Sequence, residues 1–132
     1  MFAGAILEAA YMAIRLYSRN TAIPASCASF VRPGQRTVFP FCIGEERRGV
    51  PTGLIIYAGR NQYAHWDEES LKPVSEAVFA GLNDAFYDHP FADLAFDLGN
   101  PTIPIYAREI LVTALGWTTY ERYLAEMKRL LG

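Results

Sequence analysis

Along residues 3–17 the apolar positions recur every three or four residues, with Ile6, Ala10, Ala13 and Tyr17 on one side and Glu8 and Arg15 on another. That spacing predicts a first helix. Residues 18–52 contain Pro24, Pro33, Pro40 and Pro51 together with Gly34, Gly44 and Gly49, a density that forbids a long helix. This stretch reads as a long irregular segment with short turns around Phe39 to Ile43. A second helix is expected to start near Pro51 and Thr52, carrying Leu54, Tyr57, Ala58, Asn61, Ala64 and His65 at steps of three and four.

The acids of Asp67-Glu68-Glu69-Ser70 read as capping and N-terminal charge for a third helix. Pro73 falls in its first turn, and Val74, Ala77, Val78, Leu82, Ala85 and Phe86 form its apolar side. It should end near Asp88-His89-Pro90, where His89 suits a helix C-terminus as a structural cation. Helical spacing resumes over 105–115 through Tyr106, Ile110, Leu111, Ala114 and Leu115 until Gly116 stops it. Thr118-Thr119-Tyr120-Glu121 has the capping-box pattern and opens a last helix with Tyr123, Leu124, Met127, Leu130 and Leu131 as its apolar side. Leu54–Tyr57 and Ile110–Val112 are the only candidate strands, and both sit inside helical periodicity. No repeat and no linker interrupts the pattern. The expectation is a single all-α domain over residues 1–132, a four- to five-helix bundle with a long irregular segment between its first and second helices.

Composition agrees with a globular chain: of 132 residues, 52% are hydrophobic and 20% charged, enough for an ordinary core without disulfide or metal staples. The apolar start, Met1 to Ile14, resembles neither a signal peptide nor a membrane span. Glu8 interrupts it, no basic n-region precedes it, and Arg15 and Arg19 arrive before the roughly 20 residues a span requires. A cytoplasmic chain without a membrane segment is expected, with Cys27 and Cys42 as reduced thiols and no zinc motif. The net charge of −2 argues against a protein that coats nucleic acid by bulk positive potential. The charge is nonetheless uneven. Residues 1–60 carry seven arginines against Glu8, Glu45 and Glu46, whereas residues 61–132 carry five basic and eleven acidic side chains. An anion-binding surface near the first half is allowed, and scattered solvated charge is the simpler alternative.

The chemically distinctive segment is Arg60-Asn61-Gln62-Tyr63-Ala64-His65. An imidazole with an ordinary pKa near 6.5 serves as acid or base, and a guanidinium forks onto phosphate oxygens. Together they supply what cleavage of a phosphodiester by its neighbouring 2′-hydroxyl requires: proton transfer and charge stabilisation. At about 100° per residue, positions 61 and 65 share a helix face while 60 and 65 lie about 140° apart. Asn61 is therefore the natural partner to orient His65 or hold a phosphate, and Arg60 has to reach around the helix.

This Arg-Asn-x-x-x-His arrangement, set in a helix of an all-helical chain of this length, resembles the motif of the HEPN superfamily. The resemblance covers these positions and not the whole chain. It implies a metal-independent RNA endonuclease with Arg60, Asn61 and His65 as catalytic residues, no cofactor, and products with 2′,3′-cyclic phosphate and 5′-hydroxyl ends. It implies a homodimer in which two motifs face one cleft, and the role of a toxin or phage-defence effector with RNA as substrate and a cognate antitoxin protein as partner. Two positions after the histidine stands Asp67. Family members paired with a nucleotidyltransferase antitoxin carry a modifiable tyrosine there, so the resemblance does not extend to that control.

Other residues near the motif carry weaker signals. Tyr63 and Trp66 are first of all core or interface aromatics, and secondly candidates for stacking on bases. Glu45-Glu46-Arg47-Arg48 reads as a solvated turn, with Arg47 and Arg48 as candidate phosphate contacts. Asp67-Glu68-Glu69 lacks the spaced ligands of a metal site. The rival reading is a noncatalytic HEPN-like helical module that binds a nucleotide or a protein partner.

Overall fold

The computed structural model describes residues 2–64, 73–84 and 114–132. Among these residues the chain is mostly helical, with α1 (Phe2–Tyr17), α2 (Thr52–Ala64), α3 (Pro73–Asp84) and α4 (Tyr120–Leu131). Between α1 and α2 lie two 3-10 helices, Ala25–Cys27 and Arg36–Phe41, and a hairpin of β1 (Glu46–Arg47) with β2 (Val50–Pro51).

Helix α2 is the centre of the described core. Every residue from Thr52 to Gly59 is buried, because this stretch is apolar around its whole circumference and cannot present a polar face to water. It packs against α1, against α3 and against the second 3-10 helix. Leu7, Ala10 and Ile14 enter the core from α1, Leu54, Ile55 and Ile56 from α2, and Val78, Phe79 and Leu82 from α3. The buried stripe of α1 is thus rotated from the expected one. Ile6 and Ala13 flank it, while Tyr17 is 68% exposed, because the chain leaves the helix there and Ser18 Oγ donates instead to the Pro40 carbonyl at 2.7 Å.

The start of α2 is fixed by the loop before it. The Thr52 N–H and hydroxyl both donate to the Glu45 carbonyl, at 2.9 and 2.7 Å, and the Gly53 N–H donates to Ile43 at 2.9 Å. These bonds satisfy N–H groups that have no partner inside the helix. The approach is so close that a Cβ on Gly53 would collide with the Phe41 carbonyl oxygen.

The long segment is irregular, as its prolines require, but it is a packed layer. Asn20 Nδ2 donates to the Ala22 and Phe39 carbonyls, each at 2.7 Å, and Cys27, Val31, Val38, Phe41 and Val50 all enter the core. The hairpin within it was not expected. It pairs Glu46 with Pro51 and Arg47 with Val50, across a two-residue turn in which Arg48 (φ 54) and Gly49 (φ 78) both have positive φ. This is the geometry of the turns that match strand twist. Each strand has only two residues, too few for a period-two pattern to register. Leu54–Tyr57, one of the two candidate strands, is helical.

The cap of α4 is Thr119, whose side chain accepts from the Arg122 N–H at 3.2 Å. The capping-box reading required Thr118; with the cap one residue later, Glu121 falls short of the position from which it would reach back. Gly116 adopts φ +68 where a stop was expected. The rest of the anticipated fourth helix, the end of the third and His89 lie outside the described residues, as does Ile110–Val112.

Cys27 and Cys42 are free, buried and hydrogen-bonded to each other. Burial raises both thiols, Cys42 from 9.0 to about 12. The unfolded chain releases these protons first, so the stability they contribute is complete below pH 9 and is lost as pH climbs toward 12. The denaturation midpoint should therefore fall between pH about 8 and about 10.5, and fall less in Cys42→Ala. Gly53→Ala should cost about 2 kcal/mol or more in urea denaturation. Gly34→Ala, with nothing within 4 Å of the added carbon, should stay within about 0.5 kcal/mol of the parent.

Candidate functional site

Arg60 is the first residue of α2 after the buried run to reach solvent, with its side chain 24% exposed. Its guanidinium is held from three directions. Nε donates to Glu8 Oε2 at 2.7 Å and Nη2 to Glu8 Oε1 at 3.5 Å. Nη1 donates to Asn61 Oδ1 at 3.1 Å. The group lies 4.2 Å over the Tyr11 ring, where the face of the π-system attracts a cation. Tyr11 is itself stacked on Phe41, with centroids 4.8 Å apart, and on Tyr57 at 6.2 Å. Asn61 is buried and hydrogen-bonds the Tyr57 phenol one turn back. Burial raises the Tyr57 hydroxyl, so it stays protonated at neutral pH.

The hydrogen bond to Glu8 raises the Arg60 guanidinium further above its ordinary value, against the opposing effect of burial. Arg60 is a permanent cation. A guanidinium has five N–H donors; three of Arg60's are committed to Glu8 and Asn61, which leaves two without a partner among the described residues.

Of the residues singled out in the sequence, Arg60 and Asn61 are brought together. Tyr63 lies near the end of α2. His65 and Trp66 lie outside the described residues. Arg47 is joined to α4 and not to Arg60: its Nη2 donates to both carboxylate oxygens of Glu126 at 3.0 Å. The same carboxylate accepts from Trp117 Nε1 at 3.0 Å and from Arg129 Nη2 at 3.1 Å, and Glu126 is only 4% exposed. The Glu45–Arg48 stretch is therefore not a merely solvated turn. Its Arg47 is the half-buried partner of a buried carboxylate, Glu126. Arg48, at the hairpin tip, is half-buried.

Glu8, Tyr11 and Tyr57 were not singled out as neighbours of the motif. The available signal was Glu8 itself, a lone carboxylate in an apolar helix, which calls for a cation. Tyr11 follows it by three residues on the same face.

Among the described residues there is no group of three or more His, Cys, Asp or Glu side chains placed to hold a metal ion. None of the described helices is long and apolar enough to cross a membrane. Comparison with known protein families, curated proteins and solved structures gives no match to the chain.

The two arginine–carboxylate pairs should differ sharply in energetic weight. Glu8 has 43% of its side chain exposed, so Glu8→Gln should change stability by no more than about 1 kcal/mol. Glu126→Gln removes the counter-charge of the Arg47 guanidinium, whose side chain is 29% exposed, and leaves a buried amide in the carboxylate's place; it should cost more, about 2 kcal/mol. Urea denaturation of the two variants side by side measures the contrast.

Proposed function

We propose that the chain is a metal-independent RNA endonuclease of HEPN type, with Arg60 stabilising charge on the scissile phosphate, His65 transferring protons and Asn61 positioning. The observation that supports it is the Arg60–Asn61 contact: a half-buried cation bonded to a buried amide, at the one position from Thr52 to Gln62 where α2 is not buried. Among the described residues two Arg60 donors have no partner and could serve a phosphate, and the resemblance supplies His65 as the proton carrier. The attacking 2′-hydroxyl gives up its proton, the phosphorus–5′-oxygen bond breaks, and the leaving oxygen takes a proton. The ends left are a 2′,3′-cyclic phosphate and a 5′-hydroxyl, and no metal enters these steps.

A homodimer with two such motifs in one cleft belongs to this proposal. Ala5, Ala9, Met12 and Leu16 are exposed along one face of α1 beside Glu8, and that apolar stripe supports pairing with a second copy. A four- to five-helix bundle, a cytoplasmic setting, and a toxin or defence role with an antitoxin partner belong to the same reading.

The second reading is a noncatalytic helical module, and the Glu8–Arg60 pair favours it. A carboxylate already seated on the guanidinium competes with phosphate and makes Arg60 a clamp between α1 and α2.

Incubation of the full chain with RNA in EDTA separates the two. The nuclease reading expects cleavage to cyclic-phosphate ends, with Arg60→Ala and His65→Ala each reducing the rate about 100-fold or more. Absence of cleavage on structured and single-stranded RNA alike would sink it in favour of the module, and cleavage that survives His65→Ala would overturn the role given to His65.

A further inference from the structure

The hairpin and α4 enclose a cavity of about 380 Å³ whose lining includes Arg47, Arg122, Arg129, Glu126, Trp117 and Leu115. Arg122, Glu126 and Arg129 follow one another at steps of four and three, which places them on one face of α4. Three arginines thus line a cavity that holds a single carboxylate, and two of them, Arg47 and Arg129, bond to it. That carboxylate is fully engaged: Oε1 accepts from Arg47 and Trp117, and Oε2 from Arg47 and Arg129. Its charge offsets one arginine, so among the described side chains lining the cavity two positive charges are in surplus.

The donors around the cavity are not exhausted. Arg47 Nε is buried and has no hydrogen-bond partner among the described residues. Arg129 is 63% exposed and gives only Nη2 to Glu126. Arg122 makes no ion pair among the described residues, and only its backbone N–H is bonded, to Thr119. Clustered like charges are unfavourable unless an anion joins them, and a cleft lined by one sign concentrates counter-ions. Guanidinium groups match the spacing of phosphate oxygens. Trp117 and Leu115 add an apolar wall, and Tyr123 steadies the indole edge-on, with ring centroids 5.1 Å apart.

We propose that this cavity binds the phosphate group of a small phosphorylated ligand. Arg122 and Arg129 are the phosphate donors, Arg47 is the inner cation fixed by Glu126, and Trp117 flanks the organic part. None of these residues belongs to the Arg60–His65 motif, so the assignment stands or falls independently of the nuclease reading.

The test is calorimetric titration of the full chain, at low salt, with inorganic phosphate, ribose 5-phosphate, AMP and adenosine, alongside Arg122→Ala and Arg129→Ala. The three phosphate-bearing probes should bind and adenosine should not. Either variant should weaken binding about tenfold or more, as loss of a charge-assisted hydrogen bond implies, while added salt weakens the parent. Circular dichroism checks that the variants remain folded; Arg122, whose side chain has no bonded partner among the described residues, decides the matter if Arg129→Ala unfolds. The proposal is overturned if no phosphate-bearing probe binds, if both folded variants bind as the parent does, or if adenosine binds as tightly as AMP. A short RNA without terminal phosphate that binds more tightly than AMP through the same arginines would also overturn it, assigning the cavity to a polynucleotide.

Discussion

The burial of α2 on every side is the constraint from which the rest of the described structure follows. A helix with no polar face needs neighbours all round it, so α1, α3 and the irregular segment are each placed by what α2 has to cover. The first turn of the helix comes so close to the preceding loop that only glycine fits at position 53. The loop answers with its carbonyls, which take the N–H groups of Thr52 and Gly53. Burial and backbone satisfaction are met by the same contact.

Arg60 interrupts the buried run of α2, with Asn61 and Gln62 buried after it, and this gives the arginine its character. A guanidinium at the edge of a core is partly desolvated and needs a counter-charge, which Glu8 supplies from the neighbouring helix. Packing against Tyr11 and bonding to Asn61 complete a rigid setting. The same contacts bear on both functional readings. They hold the cation in one orientation, as a catalytic group requires, and they place a carboxylate where a phosphate would arrive. For RNA to engage Arg60 it has to use the donors that remain or displace a partly exposed carboxylate, whose modest energetic hold makes the exchange feasible.

Local signals in the sequence were enough to locate α1, the start of α2 at Thr52, the start of α3 at Pro73 and the glycine turn at Gly116. They depend on residues within a few positions of each other, and so does the placing of Arg60 and Asn61 on one helix. The partners of those residues were a different matter. Glu8 and Arg60 are 52 residues apart, and Arg47 and Glu126 are 79 apart; no periodicity connects them. The hairpin escaped notice because its strands are shorter than the alternation that reveals a strand, although Arg48-Gly49 occupies the turn that needs positive φ at both positions. The displacement of the α4 cap from Thr118 to Thr119 is of the same kind. Two adjacent threonines both fit the pattern, and only the geometry of the Arg122 N–H decides between them.

The charge distribution gains a different meaning once the pairs are known. Counted along the chain, arginine gathers in the first half and acid in the second, which by itself suggests one broad basic surface. The fold breaks that surface up. Arg60 is matched by Glu8 from its own half, and Arg47 by Glu126 from the other. Anion affinity in such a protein depends on where arginines outnumber the carboxylates within reach, and among the described residues that condition is met in the lining of the cavity beside α4, where two of the three arginines belong to the acidic half. A net charge of −2 is therefore no obstacle to a phosphate site: at physiological salt, charges more than about 8 Å away are largely screened, so the ligand responds to the guanidinium groups at its own distance and not to the sum over the chain.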